Sequence, residues 1–386
     1  MKRGLRGLTA AMAAIGGTVG LAAAPQAAGA AAPGAREVEV VRELGQHVVP
    51  HKLEVAGTTF GGISGFDRDP VTGKWYFISD DRGRYGSARF YTGELTFDPR
   101  SGVFKGVELT GGRTFHRPDG SAYPEYGKPD SVDPESLRFD PWTRRLLWSS
   151  EGDRPDKANP TIPVAQMSLL WADTQGTETG RVRLPRTLRM TDTESGPRRN
   201  FGLEGLTTTR RTIVAAVEGP RFEDGAPPTV ERGAPARITV WNRETGRPVG
   251  QYVYPLDKLR EAPRPADGLS DTGISELLAV SRTRFLALER TWLEGVGYQA
   301  RIYEIDLSAA SNVLDREDLS RPHTPVTKRL VYEFEPTVEN FEALAWGPKL
   351  ATGECSLVAG SDDNFYQPER TVFLALAVKG CPRTLD

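Results

Sequence analysis

The stretch Asn200-Phe201-Gly202-Leu203-Glu204-Gly205-Leu206, followed shortly by Ile213-Val214-Ala215-Ala216-Val217-Glu218, carries the plan of the whole chain. An acid opens an apolar run, a polar turn follows, and a second apolar run of β-branched and small residues ends in another acid. Two short runs of this kind around a turn read as an antiparallel hairpin. The plan recurs. Its anchors are Gly62-Ile63-Ser64-Gly65-Phe66, Glu135-Ser136-Leu137, Glu204-Gly205-Leu206, Glu276-Leu277-Leu278 and Glu342-Ala343-Leu344, about seventy residues apart. The second runs end at Asp80-Asp81, Glu151, Glu218, Glu289 and Asp362-Asp363.

Outward from each hairpin, a third strand is legible at 88–97, 237–241, 301–307 and 371–378, and a fourth at 103–109, 249–254 and 329–334. Four antiparallel strands repeated radially make a β-propeller, an all-β fold. The last copy ends before a fourth strand. The unassigned, strand-like stretch 38–44 is expected to supply it and close the ring. Counting copies gives five blades, with room for a sixth in 111–133 or 173–200. A hydrophobic fraction of 38%, with 41 Gly and 29 Pro, suits a loop-rich β protein.

Residues 1–30 read as an export leader: Lys2, Arg3 and Arg6 precede an uncharged apolar stretch, and Ala28-Gly29-Ala30 matches the small-x-small cleavage rule. The stretch is rich in Ala and Gly and shorter than the ~20 residues a membrane span needs. The mature chain, 31–386, is expected to be secreted. Its two cysteines, Cys355 and Cys381, stand at the outer ends of the last hairpin, and export favours a bridge between them. A net charge of −2 gives no bulk attraction for nucleic acid or an anionic membrane. A monomer acting on a small anionic molecule is the expected mode.

In a meandering blade the start of the first strand and the end of the second share one rim. Glu135, Glu204, Glu276 and Glu342 should therefore meet Asp80, Asp81, Glu151, Glu218, Glu289, Asp362 and Asp363. So many carboxylates repel one another unless a cation joins them. Calcium, which takes six to eight oxygens in flexible geometry, suits this better than zinc. The four histidines, at 47, 51, 116 and 323, fall outside the repeat. The expected ligands or orienting carboxylates are Glu135, Glu151, Glu204, Glu218, Glu276, Glu289, Glu342 and Asp362. Arg82, Arg84, Arg154, Arg221 and Arg290 follow the second-strand acids. The expected catalytic set is Glu204, Glu276 and Glu342, with Arg221 and Arg290 gripping an anionic group. The plainer reading of the anchor acids is bracing between blades.

Several motifs together resemble one known family: Asn200 to Leu206, Ile274-Ser275-Glu276-Leu277-Leu278, Leu288-Glu289-Arg290, Asn340 to Pro348 and Ser361-Asp362-Asp363-Asn364-Phe365. They look like the phytase-like domain family, labelled "esterase-like activity of phytase". The likeness covers about 60–377. It implies a propeller and hydrolysis of a phosphoester or ester, but fixes neither substrate nor catalytic residues. The calcium-dependent propeller phytases are a more distant likeness, and no residue is carried over from them. A serine esterase would need a nucleophile elbow. Ser64 is the nearest approach and has no evident histidine. A metal-dependent lactonase and a non-catalytic binding or scaffold propeller are the other readings.

Overall fold

Short runs of β-branched and aromatic residues, cut by Gly, Pro and Asp turns, form the strands of the computed structural model, which describes residues 37–382. The leader at 1–30 and its cleavage point lie outside the described residues. Strand β1 (Glu39–Val48) comes first, then a small ribbon of β2 (Glu54–Val55) and β3 (Thr58–Thr59). Blade one is β4 (Ile63–Arg68), β5 (Trp75–Ser79), β6 (Arg89–Phe97) and β7 (Phe104–Thr114). Blade two is β8 (Pro134–Asp140), β9 (Arg145–Ser150), β10 (Ser168–Ala172) and β11 (Glu178–Arg181). Blade three is β12 (Leu203–Thr208), β13 (Thr212–Val217), β14 (Ala234–Asn242) and β15 (Pro248–Leu256). Blade four is β16 (Ser270–Ala279), β17 (Arg284–Leu293), β18 (Gly297–Asp306) and β19 (Thr327–Glu333). Blade five is β20 (Asn340–Lys349), β21 (Cys355–Asp362) and β22 (Val372–Lys379), completed by β1.

Each blade is a four-stranded antiparallel sheet, and in blades one to four the strands neighbour one another in chain order. The ring has five blades. The stretch 111–133 supplies the end of β7 and a loop; 173–200 supplies β11 and a single 3-10 turn at Arg186–Leu188. Closure is as the sequence implies: β1 pairs with β22 from Glu39 opposite Lys379 to Val48 opposite Val372. This covers the edge that β22 would otherwise leave open.

Five apolar clusters hold the ring, one at each blade–blade interface. Between blades one and five, Phe66 packs on Phe373 with centroids 5.4 Å apart. Between blades one and two, Tyr76 stacks on Phe139 at 5.5 Å. Burying such a side chain contributes roughly 1.5–3 kcal/mol. Cys355 and Cys381 form a disulfide with Cα atoms 6.2 Å apart, tying β21 to the chain beyond β22.

On the axis, Arg138 of β8 closes the channel. Its Nε donates to the Leu206 carbonyl (2.7 Å), Nη1 to those of Phe66 (2.8 Å) and Leu137 (3.2 Å), and Nη2 to that of Leu277 (2.8 Å). Nη2 also meets Glu276 Oε2 at 2.7 Å. One guanidinium thus gathers the inner strands of four blades. Glu276 accepts further bonds from the Ser136 hydroxyl and the backbone N–H groups of Leu206 and Leu277.

Candidate functional site

Above this plug, the starts of the inner strands and the ends of the second strands surround a cup of about 220 Å³. Six carboxylates line it: Asp80, Glu135, Glu204, Asp271, Glu342 and Asp362. Two guanidinium groups, Arg82 and Arg290, stand among them, with Asn200, Asn340, Asn364, Trp292 and Tyr298 completing the wall. A larger cavity of about 340 Å³ lies beside β10 and β11 but contains no acid. The smaller cavity, with six acids, is the candidate site.

The two arginines divide the acids. Arg82 Nε lies 3.0 Å from Asp133 Oδ2 and 3.7 Å from Asp80 Oδ1, and its Nη2 lies 3.5 Å from Glu151 Oε2. The same Nη2 donates to Asn200 Oδ1 at 2.8 Å. Arg290 Nη2 lies 2.9 Å from Glu218 Oε1 and 3.2 Å from Glu342 Oε1, and Nη1 lies 3.3 Å from Asp271 Oδ2. Between the two groups, Glu135 and Glu204 are buried with no side-chain hydrogen bond or ion pair among the described residues. Buried oxygens of Asp80, Asp133 and Glu218 also lack a hydrogen-bond partner.

Uncompensated burial shows in the proton affinities. Glu135 is pushed well above the carboxylate range by burial, then by the charges of Asp80, Glu204, Asp133 and Glu151. Glu204 is pushed well above it by burial, then by Glu218, Glu151 and Glu342, with Arg290 opposing. Burial also carries Asp133, Glu218 and Asp362 well up. Glu151 and Glu342 rise to about 7, again through burial, with Arg82 and Arg290 respectively pulling down.

This donor set fits a hard cation. Oxygens of Asp80, Asp133 and Glu135 lie within 4.8 Å of one another, and so do those of Glu135, Glu151 and Glu204. Glu135 belongs to both groups. The cup holds only oxygen donors among its acids and amides and no His or Cys, which suits calcium rather than zinc. Three residues of the wall have left-handed backbone. Arg82, Asn200 and Asn364 adopt φ of 52°, 58° and 45°, a region non-glycine residues rarely occupy.

Of the residues singled out from the sequence, Glu135, Glu204, Glu342, Asp362 and Arg290 line the cup. Glu151 and Glu218 stand behind it as partners of Arg82 and Arg290. The others lie elsewhere. Glu276 is the partner of Arg138, its oxygens already occupied, so it braces the axis and is not open to a ligand. Glu289 points away from the channel, accepting from Tyr254 (2.9 Å) and Lys328 (2.6 Å). Successive side chains alternate across a sheet, so Arg290, and not Glu289, faces the cup. Asp80 and Asp81 divide the same way, with Asp81 paired to Arg89. Arg221 lies in the loop after β13, bound to Glu223 Oε2 (2.7 Å) and the Glu317 carbonyl (2.8 Å). Arg154 likewise donates to loop carbonyls at Ser195 and Pro197. The Ser64 hydroxyl is spent on the Glu135 carbonyl, to which it donates at 2.6 Å.

Asp133, Asp271 and the three asparagines were not singled out by the sequence reading. A signal existed for the asparagines: Asn-Phe occurs at 200–201, 340–341 and 364–365, each beside an acid of the cup. Asn340 Nδ2 donates to Glu342 Oε1 at 2.7 Å, and the Asn364 N–H to Asp362 Oδ1 at 2.9 Å.

A model of the family "Phytase-like: Esterase-like activity of phytase" matches residues 58–365. No curated protein matches the chain. Among solved structures, "Structure of U3-55K" shares 11% identity, covering 84% of this chain and 98% of that one, with a TM-score of 0.34. "Crystal structure of RRP9 WD40 repeats" shares 9% identity, covering 89% and 100%, with a TM-score of 0.34. Both likenesses are too distant to bear on function.

Proposed function

Because the chain belongs to the phytase-like family, we propose that it is a secreted, calcium-assisted phosphoester hydrolase working in the acidic cup. One observation carries this reading: among the described residues Glu135 and Glu204 are buried carboxylates with no ion pair or side-chain hydrogen bond, facing a cavity whose two arginines are paired with other acids. A ring built only for bracing would satisfy its acids as Glu276 is satisfied.

Asp80, Asp133, Glu135, Glu204 and Asp362 would hold calcium, which when bound supplies polarisation of the phosphoryl oxygens and a lowered pKa for water. Arg82 and Arg290 then keep only part of their present pairing and present N–H groups to the anionic ester from two sides. Glu342 accepts the proton of the attacking water. Asn340 and Arg290 hold its Oε1, which leaves Oε2 to face the cup. In the ion-free cup burial raises its pKa to about 7, with Arg290 pulling it down.

The test is phosphomonoester turnover with calcium and with chelator, on wild type and Glu204→Gln. Turnover that needs calcium and falls at least a hundredfold in the variant supports the assignment. A wild type that neither binds calcium in calorimetry nor turns over any phosphoester leaves a binding or scaffold propeller instead. Export is supported by the Cys355–Cys381 bridge, which suits an oxidising compartment. Intact mass of secreted protein should start at Ala31.

A further inference from the structure

Blade four rises higher at the cup than its neighbours because β17 continues past the acid at which the other second strands stop, as far as Leu293. In the continuous register of β17 with β18, Trp292 lies opposite Tyr298, and Arg290 opposite Ala300. Residues two apart on a strand share a face, so Arg290 and Trp292 look the same way, into the cup, and both line it. The intervening Thr291 faces the other side with Glu289, beside Lys258 and Arg301. Trp292 and Tyr298 are direct cross-strand partners, and both bring an aromatic side chain to the wall of the cup. Trp292 stands roughly 7 Å above Arg290, from a rise of about 3.4 Å per residue. The rest of the cup is charged or amide-bearing. None of the proposed steps uses this wall.

We propose, resting on the hydrolase reading above, that the substrate is a compact phosphomonoester of a flat ring alcohol, its ring laid on Trp292 and Tyr298 while its phosphoryl group reaches the level of Arg290. Two further observations bear on the class. The cup holds about 220 Å³, below the roughly 300–1,000 Å³ of pockets that enclose drug-sized ligands. Its six carboxylates outnumber its two arginines, both of which are already paired, so a polyphosphorylated polyol would bring many charges to a surface of their own sign. A single phosphoryl group meets calcium and two guanidiniums; a flat, uncharged ring meets the aromatic side chains of Trp292 and Tyr298. In the reaction the bond between phosphorus and the aryl oxygen breaks, its electron pair leaving on that oxygen. The water oxygen forms the new bond to phosphorus, and its proton passes to Glu342 Oε2 and then to the departing alcohol.

Binding and turnover separate this inference from the reading beneath it. Phenylphosphonate and ethylphosphonate carry the same head group and cannot be hydrolysed. In calcium buffer, calorimetry should show phenylphosphonate binding roughly tenfold tighter than ethylphosphonate, the order of one stacking contact. Trp292→Leu should collapse that ratio toward one, and Tyr298→Leu should reduce it. For phenyl phosphate over ethyl phosphate, the ratio of kcat/KM should fall by a similar factor in Trp292→Leu. Equal affinity of the two phosphonates for wild type, a ratio that survives in Trp292→Leu, or tighter binding of inositol hexakisphosphate overturns the inference. Turnover of both esters without a phosphonate difference would overturn the wall and leave the hydrolase standing. A phosphonate difference without any turnover would do the reverse. Absence of binding by either phosphonate overturns both.

Discussion

Replacing Glu204 by Gln should make the calcium-free protein more stable, the opposite of what losing a buried acid usually does. Glu204 has no partner to leave stranded, and its oxygens lie within 4.8 Å of those of Glu135 and Glu151. At that separation each ionised pair repels by ~3.5 kcal/mol at an effective dielectric of about 20. The ion-free cluster relieves this by keeping protons, at ~1.4 kcal/mol for each pKa unit of displacement. A neutral isostere removes one member of the cluster, and a net gain of ~1–3 kcal/mol is expected at pH 7.5. With an unfolding entropy of about 2.1 cal/mol/K per residue, a chain of this length gains ~1.5–4 °C in Tm. Calcium at about a hundred times its Kd should raise wild type by ~2.7 kcal/mol, roughly 4 °C, and Glu204→Gln by much less. Differential scanning calorimetry in EDTA and in calcium reads both shifts. A variant that melts lower than wild type in EDTA, or gains as much from calcium, would refute the reasoning.

Ion-free stability should fall as pH rises from 5 to 8. The folded Glu151 and Glu342 hold protons up to about 7, while their unfolded counterparts release them near 4.5, so the folded state binds more protons across that window. Acids held low by hydrogen bonds, such as Glu223 at about 2, act only below it; urea melts in EDTA at each pH should show the slope, and calcium should flatten it. Glu276→Ala should cost ~3–5 kcal/mol by leaving Arg138 buried without its counter-charge, as denaturant titration would show. Deleting residues 31–48 should open the β22 edge, lowering Tm and producing aggregates on size-exclusion chromatography. Cys381→Ser should cost ~2–4 kcal/mol for release of the loop.

The ring was legible because its cause is local and repeated. Each hairpin announces itself by an apolar run with an acid at the end, and the missing fourth strand of blade five left β1 as the only claimant. The cup was legible only as a rim. Strand ends share a face by topology, but which of two adjacent acids turns inward depends on register, and a one-residue difference reverses it. Glu289 and Arg290, like Asp81 and Asp80, are sequence neighbours whose side chains turn to opposite sides, a choice that spacing alone does not carry. Glu276 carries the same anchor pattern as Glu204. What separates them is Arg138, an ordinary-looking residue of β8 whose reach across four strands has no counterpart in the spacing of the sequence. Asp133 precedes β8 and Asp271 is the second residue of β16, positions that no repeat marks.

Arg138 spends every one of its N–H groups on the walls around it, so the axis is sealed at the level of Glu276. The cup is then a cul-de-sac. For a hydrolase this fixes traffic: whatever enters head first must back out. The alcohol, nearest the mouth, departs first, and phosphate, held deepest between Arg82 and Arg290, departs last. Inorganic phosphate should therefore compete with the ester for the empty enzyme, while the released alcohol should inhibit without competing.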